Sequence, residues 1–462
     1  MLLNMTEGKP LKLILPFMVP LLIGNIFQQL YNIADIIIVG RTIGVEALAA
    51  VGAVSPLFMM QVIITLGLGN GFTVVTGQRY GGGDMDGMRR SIATGTVLSL
   101  ISVVIIMAIT YLSIDKVLAM MNIPAELMSD ARSYVLIITD GLLAMMGYNF
   151  LSSVMRALGD SKTPLYFLIV ATIANIALAL AFILYLGWGV PGSAVALVIA
   201  QAISAILCII YIYRRFPQLH LSTKDICLTK EEIWEHLRMG LPMAVQFSVL
   251  GMSIIFMQSI CNKFGANTIA GFTTAMRVEQ LAVQPMISFG LAISVFTAQN
   301  FGARRFDRIR EGISKCSLLV LGFACFAAAL MFFFGKDIIG VFLDNPEPEV
   351  LSAAYMYITY SVPFYFFFSQ MFIYRNACQG MGIAMIPMMT GVVELFVRTG
   401  VAMFLTESHG YLGICLASPV AWLSSFSVAY FSYRYFINRL VGLRLYVYGN
   451  YPERWRGDSN NG

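Results

Sequence analysis

Asn25-Ile-Phe-Gln-Gln-Leu-Tyr-Asn-Ile-Ala-Asp35 lies inside the first long apolar run of the chain. At 100° per residue, Asn25, Gln28, Gln29, Asn32 and Asp35 fall within about one third of a helix circumference. Polar groups set in such a run are costly against lipid, and a carboxylate at the centre of a membrane helix costs about 2.5–3.5 kcal/mol on insertion scales. The stripe is therefore expected to face protein or a water-filled cavity, and a polar cavity in a membrane protein marks a path or a site.

The rest of the chain agrees with a membrane setting. Of 462 residues, 58% are hydrophobic and only 12% charged, and the mean hydropathy is +0.76, whereas soluble domains carry about 25% charge. Apolar runs long enough to span a bilayer fall near 13–38, 51–77, 91–114, 133–156, 163–187, 190–213, 239–262, 266–299, 316–335, 351–374, 383–406 and 410–433. The expectation is an all-α polytopic membrane protein of twelve transmembrane helices. No A-x-A-like cleavage site follows the first run, which is expected to remain as helix one.

Charge orients the chain. With the amino end inside, the inner segments hold 22 Lys and Arg, and the outer ones five: Arg41, Lys116, Arg132, Lys263 and Lys336. Arg277, Arg375 and Arg398 lie within apolar runs. The positive-inside rule puts both termini in the cytoplasm, so the formal charge of +5 reports topology and argues against a nucleic-acid partner. Seven scattered cysteines without C-x-x-C spacing predict neither a disulfide framework nor a metal site, and three histidines form no cluster.

A shift of 221 residues lays Gly69 on Gly290, Val74 on Val295, Thr76 on Thr297, Gln78 on Gln299, Gly81 on Gly302 and Arg89 on Arg310. Gly192 and Ala196 match Gly413 and Ala417 at the same shift, and Gly159 and Pro164 match Gly382 and Pro387 at 223. The chain is a parallel duplication, and sites of such proteins lie at or near the repeat interface. This predicts an N-lobe over 1–215, a cytoplasmic linker over 216–235, a C-lobe over 236–440 and a cytoplasmic tail over 441–462. The glycine-rich turn Gly81-Gly-Gly-Asp84 lacks the Gly-Lys-Ser/Thr of a phosphate loop and reads as a tight turn between helices.

Gly8-Lys-Pro, Tyr31-Asn-Ile-Ala-Asp-Ile-Ile-Ile-Val-Gly40, Gln78-Arg-Tyr-Gly-Gly-Gly-Asp84, Arg156-Ala-Leu-Gly-Asp-Ser-Lys-Thr-Pro164 and Gln299-Asn-Phe-Gly-Ala303 together resemble the multidrug and toxic compound extrusion (MATE) transporters. The resemblance runs over nearly the whole chain. It implies a two-lobe antiporter that exports organic, often cationic, compounds against a proton or sodium gradient.

Asp35 is the leading coupling residue: it stands about 36 Å of helix beyond Leu11, toward the outer side. The resemblance adds Asn175 and Asn149 as residues lining the same N-lobe cavity. Where the family often has an acid four residues after the asparagine and a threonine on the next helix, this chain has Ala179 and Leu197. Two oxygens are lost from a sodium site that needs several, so protons are favoured as coupling ion, with sodium as the alternative and no cofactor. Asp140 and Glu279 are secondary candidates, each read as a buried intramembrane acid. Asp140 stands about 180° from Asn149, and Glu279 about 200° around its helix from Arg277. The substrate cavity is expected to include Asn25, Gln28, Gln29, Tyr31, Asn32, Gln246 and Arg277. Glu394 and Arg398, spaced i, i+4, are expected to neutralise each other as a structural ion pair.

The function expected is a secondary active multidrug efflux antiporter of the cell membrane, working as a monomer on small organic substrates. A lipid-linked glycan flippase and a passive channel are the rival readings. An intramembrane enzyme lacks support, since no zinc motif and no nucleophile with a nearby base is present.

Overall fold

The computed structural model describes residues 3–42, 45–121, 123–220, 223–226, 228–342 and 347–449; at 30–42, 45–49, 125, 218, 223 and 441–449 it describes the backbone only. The first repeat contributes α1 (Pro10–Thr42), α2 (Val45–Gly81), α3 (Met85–Met120), α4 (Ala125–Asp140), α5 (Leu142–Ala157), α6 (Lys162–Leu180) and α7 (Gly189–Arg215). The second contributes α8 (Lys230–Cys261), α9 (Ala266–Gly302), α10 (Phe306–Val341), α11 (Pro348–Ser361), α12 (Tyr365–Gly380), α13 (Met385–His409) and α14 (Tyr411–Gly449). Among the described residues there is no strand.

Among the described residues, ten helices are long and apolar enough to cross a membrane unaided, and α4 with α5 forms an eleventh span bent by 45°. The bend is at Gly141, where a side chain would collide with Val198 of α7. At the matching place in the second repeat, α11 and α12 meet across the 3-10 turn Val362–Phe364, whose Pro363 has no N–H to continue the ladder. With that broken pair the spans number twelve, in two lobes. Two expected continuous helices, over 133–156 and 351–374, are thus each two helices. α8 begins at Lys230 and α14 runs to Gly449.

Each lobe repeats one packing scheme. In the first, α2 packs on α3, α4 and α5, and α5 on α7; in the second, α9 packs on α10, α11 and α12, and α12 on α14. Between lobes, α2 packs on α8 while α9 packs on α1, and α2 meets α9. This is the i-to-j, j-to-i reciprocity of a two-fold interface. Lipid tails are as apolar as the helices, so membrane helices associate through close backbone approach. Gly67 and Gly71 of α2 serve that approach: a side chain at either would strike the backbone of Ala244 or Gly240 on α8.

The α5–α6 and α12–α13 turns carry the same device, Gly159 at φ +92° and Gly382 at φ +83°, a conformation open to glycine at little cost. A side chain at Gly159 would also collide with the backbone of Leu3. Residues 3–8 continue from there across the end of the bundle onto the second lobe. The Met5 amide donates to Gln299 Oε1 over 2.9 Å, and Arg305 and Arg308 each donate over 2.8 Å, to the carbonyls of Thr6 and Gly8. This face, which also carries Arg89, Arg214 and Arg215, is the arginine-rich face below.

Candidate functional site

The lobes meet along the pseudo-two-fold axis at the arginine-rich end of α2 and α9. Gln78 Nε2 donates to the carbonyl of Gly380 over 2.8 Å, and Gln299 Nε2 donates to the carbonyl of Ala157, also over 2.8 Å. The donors are 221 residues apart and the acceptors 223, the two offsets of the repeat. A side chain at Gly81 would collide with the Gln299 carbonyl, and one at Gly302 with the Gln78 carbonyl. Beside this seam, Arg79 of α2 pairs with Glu232 (2.9 Å) and Glu235 (2.6 Å) of α8. The buried His236 of α8 bonds to Ser91 Oγ over 2.9 Å.

Next to the seam lies a chamber of about 50 Å³ whose walls come from both lobes. Thr73 and Ser294 line it, as do Val74 and Val295, and each pair is related by the repeat. Arg156 supplies its one cation among the lining residues. It donates to Ser153 over 2.7 Å, and Ser153 donates to Asn70 Oδ1 over 3.0 Å.

On α1, Asn25 Nδ2 donates to Ser288 Oγ of α9 over 3.1 Å, so it is spent on an interlobe bond. Gln28 is exposed and Gln29 half-buried. Tyr31, Asn32 and Asp35 lie on α1 with their side chains outside the described residues. Asn175 on α6 is 2% exposed, and its Nδ2 has no hydrogen-bond partner among the described residues. Leaving such a donor buried costs about 1–3 kcal/mol unless a water or a ligand meets it. Asn149 on α5 is half-buried. Ala179 and Leu197 are buried and supply no side-chain oxygen.

Asp140 differs from the expectation of a buried acid. It is the last residue of α4, exposed, and accepts from the Tyr111 hydroxyl of α3. The break at Gly141 separates it from α5, so its direction cannot be carried over from a single straight helix.

In the second lobe, Glu279 on α9 is 7% exposed. Tyr357 Oη donates to its Oε2 over 2.9 Å, while Oε1 has no hydrogen-bond partner among the described residues. The buried hydroxyls of Ser361 and Tyr365 face the same carboxyl. Arg277 is exposed and takes no part. Glu394 and Arg398 form their i, i+4 ion pair in the interior, and Arg398 Nη1 also donates to Ser253 over 2.9 Å. Gln246 is buried against Gly391 of α13. Among the described residues, no three His, Cys, Asp or Glu side chains are grouped to hold a metal ion.

Two features escaped the sequence reading. Tyr357, Ser361 and Tyr365 are spaced by four, a hydroxyl stripe that helical periodicity could have found. The Gln78 and Gln299 contacts carried no such signal, because a repeat shows that two residues are equivalent and not what either one touches.

The comparisons with known proteins follow this geometry. The MatE family model matches residues 20–181 and 242–404, one stretch in each repeat. The chain is 28% identical over 429 residues to the probable multidrug resistance protein YoeA of Bacillus subtilis (strain 168), covering 91% of this chain and 92% of that one. It is 26% identical to the probable multidrug resistance protein YpnP of the same organism, over 94% of this chain and 96% of that one. A structure described as MATE in the bent conformation superposes with a TM-score of 0.89 at 23% identity, covering 95% of this chain and 98% of the other. Another, described as the outward-facing conformation of a multidrug resistance MATE family transporter of the MOP superfamily, gives 0.87 at 22% identity over the same shares.

Proposed function

The chain belongs to the MatE family of multidrug efflux transporters, and from that premise we propose that it is a secondary active antiporter, exporting organic, often cationic, compounds in exchange for protons. It is a transporter and not an enzyme. The arginine-rich face is the cytoplasmic one, so both termini are inside, and one copy suffices for transport.

The observation that carries the proposal is the reciprocal pair of bonds from Gln78 and Gln299. Two repeat-related lobes closed at one end by equivalent contacts can open there by rocking about the axis they share. Alternating access requires a closure that forms and breaks, and this one consists of polar contacts that water can replace on opening: the two glutamine bonds, the Arg79 pairs with Glu232 and Glu235, and the bonds of residues 3–8 to the second lobe.

Asp35, with Asn175 and Asn149, is the proposed coupling position. Protons are favoured over sodium because Ala179 and Leu197 withhold the oxygens that a hard cation needs. Glu279 is a second proposed carrier, on the ground that its carboxyl is enclosed by hydroxyls and one oxygen has no hydrogen-bond partner among the described residues.

Ethidium efflux from proteoliposomes under separately imposed pH and sodium gradients tests the reading. The wild type drives uphill efflux with the pH gradient, and Asp35→Asn abolishes it while the protein stays folded. Full activity in that variant overturns the coupling assignment, and flux that only runs downhill identifies a channel.

A further inference from the structure

One large cavity has no part in the transport reading. It is a crevice of about 620 Å³ on the flank of the first lobe. Its floor is α5, which packs on both α3 and α7, whereas α3 and α7 make no substantial contact with each other. Ala144 and Gly147 on the floor and Ala202 and Ala205 on the α7 wall leave the space open. At its rim, Leu100, Ile206 and Ile209 are about half exposed, so the crevice opens onto the bilayer.

The second repeat shows what the same space looks like when filled. At the repeat offsets, Ala144 corresponds to Phe367, Gly147 to Gln370, Ala202 to Leu423, Ala205 to Phe426 and Ile209 to Tyr430. Phe367 and Phe426 pack with centroids 5.6 Å apart, as do Phe426 and Tyr430. Gln370 reaches α10, donating to the Ser317 carbonyl over 3.1 Å. The C-lobe plugs the position with its own side chains, while the N-lobe leaves it for something else. Protein interiors are otherwise close-packed.

Depth and charge identify the occupant. Along α3 the lining runs from Ile92 to Val103, about 16 Å of helix, or roughly half of the ~30 Å hydrocarbon core. The crevice is therefore one leaflet deep. At its mouth on the arginine-rich face, Tyr213 and His220 stack with centroids 4.4 Å apart. Arg89, one turn before Ile92, is taken up by Asp86 and Asp225. Arg214, next in sequence to the lining Tyr213, and Lys224, four residues after the lining His220, are exposed and have no carboxylate partner among the described residues.

We propose that the crevice seats one acyl chain of an anionic glycerophospholipid, with the headgroup phosphate against Arg214 and Lys224. The lipid belongs to the leaflet at the arginine-rich face, which is the inner one on the topology proposed above; only the name of that leaflet rests on that reading.

Native mass spectrometry of the full chain in detergent, mixed with phosphatidylglycerol or phosphatidylcholine, tests the proposal without any transport step. The wild type is expected to keep one phosphatidylglycerol in preference to phosphatidylcholine by about thirtyfold, as two basic side chains at an anionic surface imply. In Arg214→Gln/Lys224→Gln the preference falls to near parity. In Ala144→Phe/Ala202→Leu, which installs residues the other repeat already accommodates, retention of both lipids is lost; Ala202→Leu alone gives the same reading if the double variant aggregates. A filled variant that keeps phosphatidylglycerol like the wild type overturns the proposal. So does displacement of the lipid by inorganic phosphate alone, or a doubled protein mass that the filling substitutions abolish, which would identify a second copy as the occupant. Failure of Asp35→Asn to abolish efflux would leave this result unaffected.

Discussion

Gln78 and Gln299 hold equivalent places in the two repeats, and each donates across the lobe boundary over 2.8 Å, one to Gly380 and the other to Ala157. The two bonds are not equal in setting. Gln299 is fully buried and also accepts from the Met5 amide, whereas Gln78 is part-buried.

Removing one of these bonds should shift the balance toward an opened seam. A neutral hydrogen bond contributes about 0.5–1.5 kcal/mol net, and more is lost where a partner is left buried and unsatisfied. Gln78→Ala is expected to raise the open population several-fold, and Gln299→Ala to raise it further. Spin-label distances across the arginine-rich face read both, and equal populations in all three proteins would refute the role.

Gly81→Ala and Gly302→Ala act by steric exclusion. Each added methyl would occupy the place of a carbonyl on the opposite helix, so the seam cannot close as it stands. Both variants are expected to insert and fold, to hold the lobes apart in the same distance measurement, and to lose uphill efflux.

The ion pair of Glu394 and Arg398 is buried. Breaking it from one side leaves an uncompensated charge, at a cost of about 3–5 kcal/mol. Glu394→Gln and Arg398→Met should each lower thermal stability markedly, while the double variant recovers most of the loss. A double-mutant cycle that shows simple additivity would argue against the pair acting as a unit.

Glu279 and Tyr357 separate stability from transport. Tyr357→Phe removes the hydroxyl that donates to Glu279 Oε2 and should destabilise by about 1–3 kcal/mol. Glu279→Gln keeps the shape and offers amide donors to the unpartnered hydroxyls of Ser361 and Tyr365. It should unfold at or above the wild-type temperature and still transport less well under a pH gradient. An undiminished rate would remove Glu279 from the coupling scheme.

The helices and the duplication were legible because each leaves a mark of its own: apolar runs of bilayer length, and a nearly ungapped register of glycines and polar residues. The breaks at Gly141 and Pro363 were not. A lone glycine in an apolar run does not by itself announce a bend; Gly141 lies so close to Val198 of α7 that no side chain fits, and that approach is set by tertiary packing. The same limit explains Asp140. An angle of about 180° between it and Asn149 holds only along one straight helix, and the chain bends between them. Asn25, read from the stripe as cavity lining, is taken instead by Ser288, a partner 263 residues away that the periodicity of α1 cannot reveal.

The segment 3–8 has a consequence for the order of assembly. Met5 is synthesised 294 residues before Gln299, its partner on the other lobe. At about 5–20 residues per second, that interval is on the order of 15–60 s, during which the first lobe enters the membrane with the contacts of Met5, Thr6 and Gly8 unmade. Only a ribosome that has finished α9 and begun α10 can supply Gln299, Arg305 and Arg308. The fastening of residues 3–8 therefore registers that the second half has arrived, and a chain truncated before it would carry its amino-terminal segment loose, open to a protease that the finished protein resists.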